Sequence, residues 1–146
     1  MTWAAKKSVV VPVDFSDESM AAVVTAIGLA ESPAAVKVVH VLPDLAMTEP
    51  TEIWESMDYG LMRQRAEEAL LERLDADATR GVESKVVFGD PGQAIVDFAG
   101  ETNAELIVLP SHGRSGLQRL LVGSVAERVV RLSPCPVLVL KTRKTG

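Results

Sequence analysis

Five short segments of the chain are rich in β-branched and aliphatic residues, and four of them are almost unbroken by polar side chains. Residues 8–14 read SVVVPVD, 35–42 AVKVVHVL, 82–88 VESKVVF, 105–109 ELIVL and 137–140 VLVL. Apolar runs without polar alternation are what strands covered on both faces require. Pro12 is expected near the end of the first strand, because it has no amide to give a sheet. Between these runs the apolar period changes to that of a helix. Ser16 and Asp17 are N-cap candidates for a first helix, with Met20, Val23, Val24, Ile27 and Ala30 at helical spacing to about Glu31 and a stop at Ser32-Pro33. Thr51 is expected to cap a long second helix with a stripe of Ile53, Met57, Leu61, Leu70 and Leu74, ended by Gly81. Asp90 and Pro91 open a third helix reaching about Thr102. Residues 110–122 read as irregular or only partly helical, and Ser124–Leu132 as a last helix broken by Pro134-Cys135-Pro136.

Strands alternating with helices predict an α/β fold, doubly wound, with a five-stranded parallel sheet and helices on both faces. The pattern by itself leaves the strand order open. No composition shift, repeat or low-complexity tract divides residues 1–146, so one domain is expected.

Composition narrows the function. The chain has 146 residues and a net charge of −5, which argues against a dedicated nucleic-acid binder. No apolar run approaches the ~20 residues of a membrane span. The first residues do not read as a secretory signal. A single cysteine excludes a disulfide framework and a Cys-rich zinc site. Charge is unevenly spread: residues 112–146 carry a balance of +6 and residues 44–77 one of −7.

In an open α/β sheet ligands bind beyond the carboxyl ends of the strands, where the strand order reverses. The richest of these positions is the stretch after the fourth run. Gly113, Gly116 and Gly123 fall close together among small polar residues, and Gly123-Ser124 opens a helix. Glycines there let main-chain amides point outward, and a helix N-terminus attracts an anion. The Ser124 hydroxyl would either cap the helix or donate to a ligand, and Arg114 and Arg119 would add charge-assisted contacts. The stretch is neither a Walker A loop nor a dinucleotide fingerprint: no G-x-x-x-x-G-K-[ST] and no G-x-G occurs. His112 lacks a partner at a motif spacing for acid–base work. His40 reads as a hydrogen-bonded histidine of the core, Asp90 as a helix cap and Cys135 as a small packed residue.

Three segments, VVPVDFSDES, GDPGQAIVDFA and LIVLPSHGRSGLQRLLVGSVAERVVRLSPCPVLVL, resemble the universal stress proteins, and the likeness runs over nearly the whole chain. The ATP-binding branch of that family carries G-x2-G-x9-G-[ST]; here the spacing is complete, with Pro110 in place of the first glycine, then Gly113, Gly123 and Ser124. Proline removes the main-chain donor at that position. The resemblance implies the strand order 3-2-1-4-5, with Pro12, Val13 and Asp14 beside Leu109, Pro110 and Gly113. It implies Asp14 at the adenosine side, Val41 against adenine through its main chain, and Gly113, Gly123, Ser124 and Val125 at ribose and phosphate, with Arg114 near by. It also implies a cytoplasmic homodimer paired through Val137–Leu140, with a stress-response or regulatory role. The ligand expected is ATP or another adenine nucleotide, with magnesium able to bridge its phosphates, and little or no turnover. Two alternatives stay open from the residues: a slow ATPase, and a nucleotide-free dimeric interaction module.

Overall fold

The structure, a computed structural model, describes residues 4–44, 58–111 and 123–141. Its strands are β1 (Val9–Pro12), β2 (Val36–Leu42), β3 (Glu83–Phe88), β4 (Leu106–Pro110) and β5 (Val137–Leu140). Its α-helices are α1 (Asp17–Leu29), α2 (Tyr59–Leu74), α3 (Pro91–Glu101) and α4 (Ser124–Leu132), with a short 3-10 turn at Pro33–Ala35. All neighbouring strands are parallel, in the order β3-β2-β1-β4-β5.

The unbroken apolar runs are explained by two cores, one on each face. Side chains alternate across a strand. Val9 and Val11 of β1 and Leu106 and Val108 of β4 face α1 and α2, meeting Ala22, Val23, Ala26, Leu70 and Leu74. Val10, Ile107 and Leu109 face the other way, onto Ile95, Phe98, Ala99, Ala126 and Val129 of α3 and α4. A polar residue at any of these positions would be buried without a partner.

Most boundaries lie where the caps direct them. Ser16 accepts a hydrogen bond from the Ser19 N–H at 3.2 Å, and Asp90 accepts from the Gln93 N–H at 3.2 Å. Pro12 ends β1, as its missing donor requires. The second helix departs from expectation at both ends. Asp58 has extended backbone, accepts from the Leu61 N–H at 3.0 Å and starts α2 at Tyr59. Thr51, Ile53 and Met57 lie outside the described residues. At the far end the Thr79 hydroxyl donates to the Leu74 carbonyl at 2.6 Å, satisfying one of the orphan acceptors of the last turn. The helix therefore stops at Leu74, and Gly81, at φ 95°, turns the chain into β3. The first helix is likewise shorter, ending at Leu29, because the Glu31 N–H turns to the Lys6 carbonyl at 2.9 Å.

Helices α3 and α4 touch through Gly92. A Cβ there would lie 2.6 Å from Arg128 Cδ, 2.9 Å from Cγ and 3.1 Å from Cβ. The last of these cannot retreat without moving α4. Gly92→Ala is expected to cost roughly 1–3 kcal/mol, seen as a fall of about 3–10 °C in Tm by calorimetry. An unchanged Tm would mean that the two helices part freely.

Candidate functional site

Strand β1 pairs with β2 on one side and β4 on the other, so the chain winds in opposite directions from it. Helix α1 follows β1 onto one face, while α4 follows β4 onto the other. Where they diverge, at the carboxyl ends of the strands, a cleft of about 420 Å³ opens. That volume is in the range of small-molecule sites.

The walls come from successive strand ends and helix starts. Pro12, Val13 and Asp14 follow β1; Val39, His40 and Val41 belong to β2; Leu109, Pro110 and Ser111 end β4. Ser19, Pro91 and Ile95 complete the sides, and residues 123–126 bring in the start of α4. Nine of the expected positions thus meet in one place: Pro12, Val13, Asp14, Val41, Leu109, Pro110, Gly123, Ser124 and Val125. Gly113 and Arg114, with His112, Gly116 and Arg119, lie outside the described residues. The lining is mostly apolar, with Asp14, Ser19, His40, Ser111 and Ser124 as its polar side chains.

The start of α4 differs from the other described helices. Side chains of Ser16, Asp58 and Asp90 cap α1, α2 and α3, whereas the α4 cap is Gly123, with no side chain to accept from the first amides. The first intrahelical bond runs from the Glu127 N–H to the Gly123 carbonyl at 2.9 Å. The amides of Ser124, Val125 and Ala126 precede it and carry the positive end of the helix dipole toward the cleft. The Gly123 amide itself is not part of this set, which corrects the expectation from sequence. It donates to the Ser111 carbonyl at 2.7 Å, because the chain leaving β4 passes directly beneath the cap. Ser124 is the first helical residue and not the cap; its hydroxyl makes no hydrogen bond among the described residues.

The opposite wall is held in a constrained turn. Phe15 has φ 66°, a left-handed conformation that few residues other than glycine adopt. Asp14 Oδ1 accepts from both the amide (3.0 Å) and the hydroxyl of Ser16, and the Asp14 N–H donates to Ser19 Oγ at 3.3 Å. The Phe15 ring packs on His40 with centroids 4.7 Å apart. His40 Nδ1 lies 2.7 Å from the Val13 carbonyl. A carbonyl only accepts, so the proton is on Nδ1 and the ring tautomer is set. His40 is hydrogen-bonded as expected, but it is half-buried in the cleft wall and not in the core.

Asp90 acts as a cap and also lies 3.6 Å from Arg128 Nε. Cys135 packs against the second core. Among the described residues no group of three or more His, Cys, Asp or Glu side chains could hold a metal. No described helix is long and apolar enough to cross a membrane. Ser111, Ser19 and Ile95 were not singled out by motif; Ser111 was reachable by position, as a residue just beyond β4.

Fold and cleft together define a doubly wound α/β protein with an open cleft at its switch point. The model of the universal stress protein family matches residues 6–141. A universal stress protein of Methanocaldococcus jannaschii is 37% identical over 145 residues, covering 94% of this chain and 84% of that protein. Among solved structures, the hypothetical protein MJ0577 superposes with a TM-score of 0.77 at 27% identity, over 95% of this chain and 98% of that one. A universal stress protein in complex with cAMP has a TM-score of 0.61 and 29% identity, over 96% and 100% of the two chains. The chain belongs to the universal stress protein family.

Proposed function

We propose that this protein binds an adenine nucleotide, ATP, in the switch-point cleft and acts as a cytoplasmic stress-response regulator of one domain with little or no turnover. The observation that carries this reading is the uncapped N-terminus of α4, opening its Ser124, Val125 and Ala126 amides onto a mostly apolar cleft. The phosphates belong at that end, since anions are favoured there. The base belongs against Pro12, Val13 and Val41, with Asp14 at the ribose side. The relative that was crystallised with cAMP supports the class of ligand. Asp14 is the lone carboxylate among the described lining residues. A magnesium ion held largely by phosphates and water needs no more than one or two protein carboxylates. Low turnover is supported by the commitments of Asp14 and His40, which hold the β1–α1 turn.

The sheet edges support a homodimer through β5. The other edge, β3, carries Glu83 and Lys85, charges that discourage pairing. Strand β5 is VLVL, without a charge, and Leu138 is exposed on it.

The test is direct. Protein purified from cells and then denatured should release an adenine nucleotide, identified by chromatography and mass. Calorimetric titration of nucleotide-free protein with ATP should give one site per chain, with phosphate release near background. Failure to bind ATP, ADP, AMP and cyclic AMP alike would leave a dimeric interaction module. Sustained phosphate release would make it an ATPase.

A further inference from the structure

Strand pairing ends unevenly at the mouth of the cleft. β1 stays paired with β2 as far as Pro12↔Val39, and β4 with β5 as far as Pro110↔Leu140. Between β1 and β4 the pairing ends earlier, at Val10↔Ile107. The two central strands therefore part below the cleft, and Pro12 and Pro110 line the crevice between them.

The main chain explains the parting. Successive residues of a strand turn their N–H and C=O groups to opposite edges. The Val13 N–H donates to the Val39 carbonyl at 2.9 Å, so odd-numbered residues of β1 serve β2 and even-numbered ones serve β4. The Ile107 and Ser111 N–H groups donate to the Pro136 and Leu140 carbonyls, so even-numbered residues of β4 serve β1. Continued past Val10↔Ile107, the ladder would next need the N–H of residue 12 for the Val108 carbonyl and the N–H of residue 110 for the Pro12 carbonyl. Both residues are prolines and have no N–H. The donor due after those, the Asp14 N–H, is turned away from the Pro110 carbonyl to Ser19 Oγ at 3.3 Å. The crevice thus carries main-chain acceptors whose ladder donors are missing. Asp14 adds a carboxylate, which when ionised also only accepts.

A strip of acceptors favours a ligand group that donates, because a carbonyl shut away without a partner is costly. The sheet order β2-β1-β4 sets the crevice between the Val41 wall and the start of α4. In a nucleotide with its base on the first and its phosphates on the second, the group between them is the ribose. Both ribose hydroxyls are donors. In a 3′,5′-cyclic nucleotide the 3′ oxygen is esterified: it has no hydrogen to donate and brings a negative charge toward the carbonyls.

We propose that the crevice between Pro12 and Pro110 selects the form of the nucleotide: it takes the free 2′,3′-diol of a 5′-nucleotide and discriminates against cyclic and dideoxy forms, with Pro110 as the specificity-determining residue. This rests on the adenine-nucleotide reading and deepens it. Proline at 110 acts here by what it withholds, since any other residue would offer its N–H to the Pro12 carbonyl and use up an acceptor.

The experiment titrates the full chain with AMP, cyclic AMP and 2′,3′-dideoxy-AMP by calorimetry. The dideoxy compound keeps the phosphate of AMP and lacks only the diol. It should bind about tenfold or more weakly than AMP, as the loss of two hydrogen bonds requires, and cyclic AMP should also be weaker. Pro110→Ala returns the N–H, so the preference for AMP over the dideoxy compound should shrink by about threefold or more. Pro110→Val, a better strand former, should repeat this. The Tm of either ligand-free variant should be no lower than that of the parent, because a ladder bond is gained. Equal affinity of the parent for AMP and the dideoxy compound would overturn the inference alone. So would a preference left unchanged in both variants. A parent that binds none of these nucleotides, nor ATP, would overturn the underlying reading and this inference with it.

Discussion

Gly123→Asp should abolish measurable ATP binding while leaving the fold intact. Gly123 has φ −61° and ψ 158°, an ordinary N-cap conformation that aspartate adopts without strain. The chain already shows what that side chain would do. Asp58 and Asp90 sit at the same position of α2 and α3 and accept the amides of Leu61 and Gln93. An aspartate at 123 would likewise take one of the free amides of α4 and set a negative charge where the phosphates belong. Hydrogen bonds to charged groups are worth about 1.5–3 kcal/mol each, so losing two corresponds to a drop of roughly 100-fold or more in affinity. Stability should rise by a few tenths of a kcal/mol, since aspartate is the better cap, by about that margin. Gly123→Asn separates the two effects: it occupies the amide without the charge, and an intermediate loss is expected. Calorimetry with ATP, paired with thermal unfolding, reads both. An aspartate variant that binds like the parent would remove the phosphates from the start of α4.

Val139→Pro should convert the proposed β5-paired dimer to a monomer without unfolding it. The Ile107 N–H donates to the Pro136 carbonyl and the Ser111 N–H to the Leu140 carbonyl. Even-numbered residues of β5 therefore direct their main-chain groups at β4, and Val137 and Val139 direct theirs at the open edge. Proline at 139 deletes an outward donor and puts its ring where a second strand would pair. The bonds to β4 remain. Val139 is half-buried against the second core, so a loss of about 1 kcal/mol in packing is expected from the smaller contact. Sedimentation velocity should show a dimer for the parent and a monomer for the variant. None of the described lining residues of the cleft lies on β5, so ATP affinity should persist in the monomer. A variant that stays dimeric would place the interface elsewhere, for example on the exposed Val130 and Leu132 of α4.

The two corrections at α2 and the one at Gly123 have a common origin. Apolar spacing continues smoothly from Ile53 to Leu74, so periodicity alone draws one long helix. A short carboxylate at 58 ends that continuity by bonding the Leu61 amide, and a hydroxyl at 79 closes the other end on the Leu74 carbonyl. Each is a single local hydrogen bond that outweighs a weak preference spread over many residues. The Gly123 amide was expected among the free donors because glycine leaves its main chain accessible. Its partner, the Ser111 carbonyl, comes from just beyond the end of β4, twelve positions earlier in the chain but adjacent in space.

What the residues alone determined is the alternation of strand and helix, the burial of both sheet faces and the neighbourhood of the ligand cleft. Those properties follow from side-chain type and period, which are written locally: Val9, Val10 and Val11 must each be buried wherever the strand sits. Resemblance to a family supplied the strand order, which period could not. Only the tertiary structure decided which polar groups remain available. Gly123 lost its amide to Ser111, Asp14 was engaged by Ser16, and the Tyr59 hydroxyl is the buried side-chain polar atom left without a hydrogen bond among the described residues. A hydrogen bond between distant residues depends on where the folded chain brings them, and no pattern along the sequence records that distance.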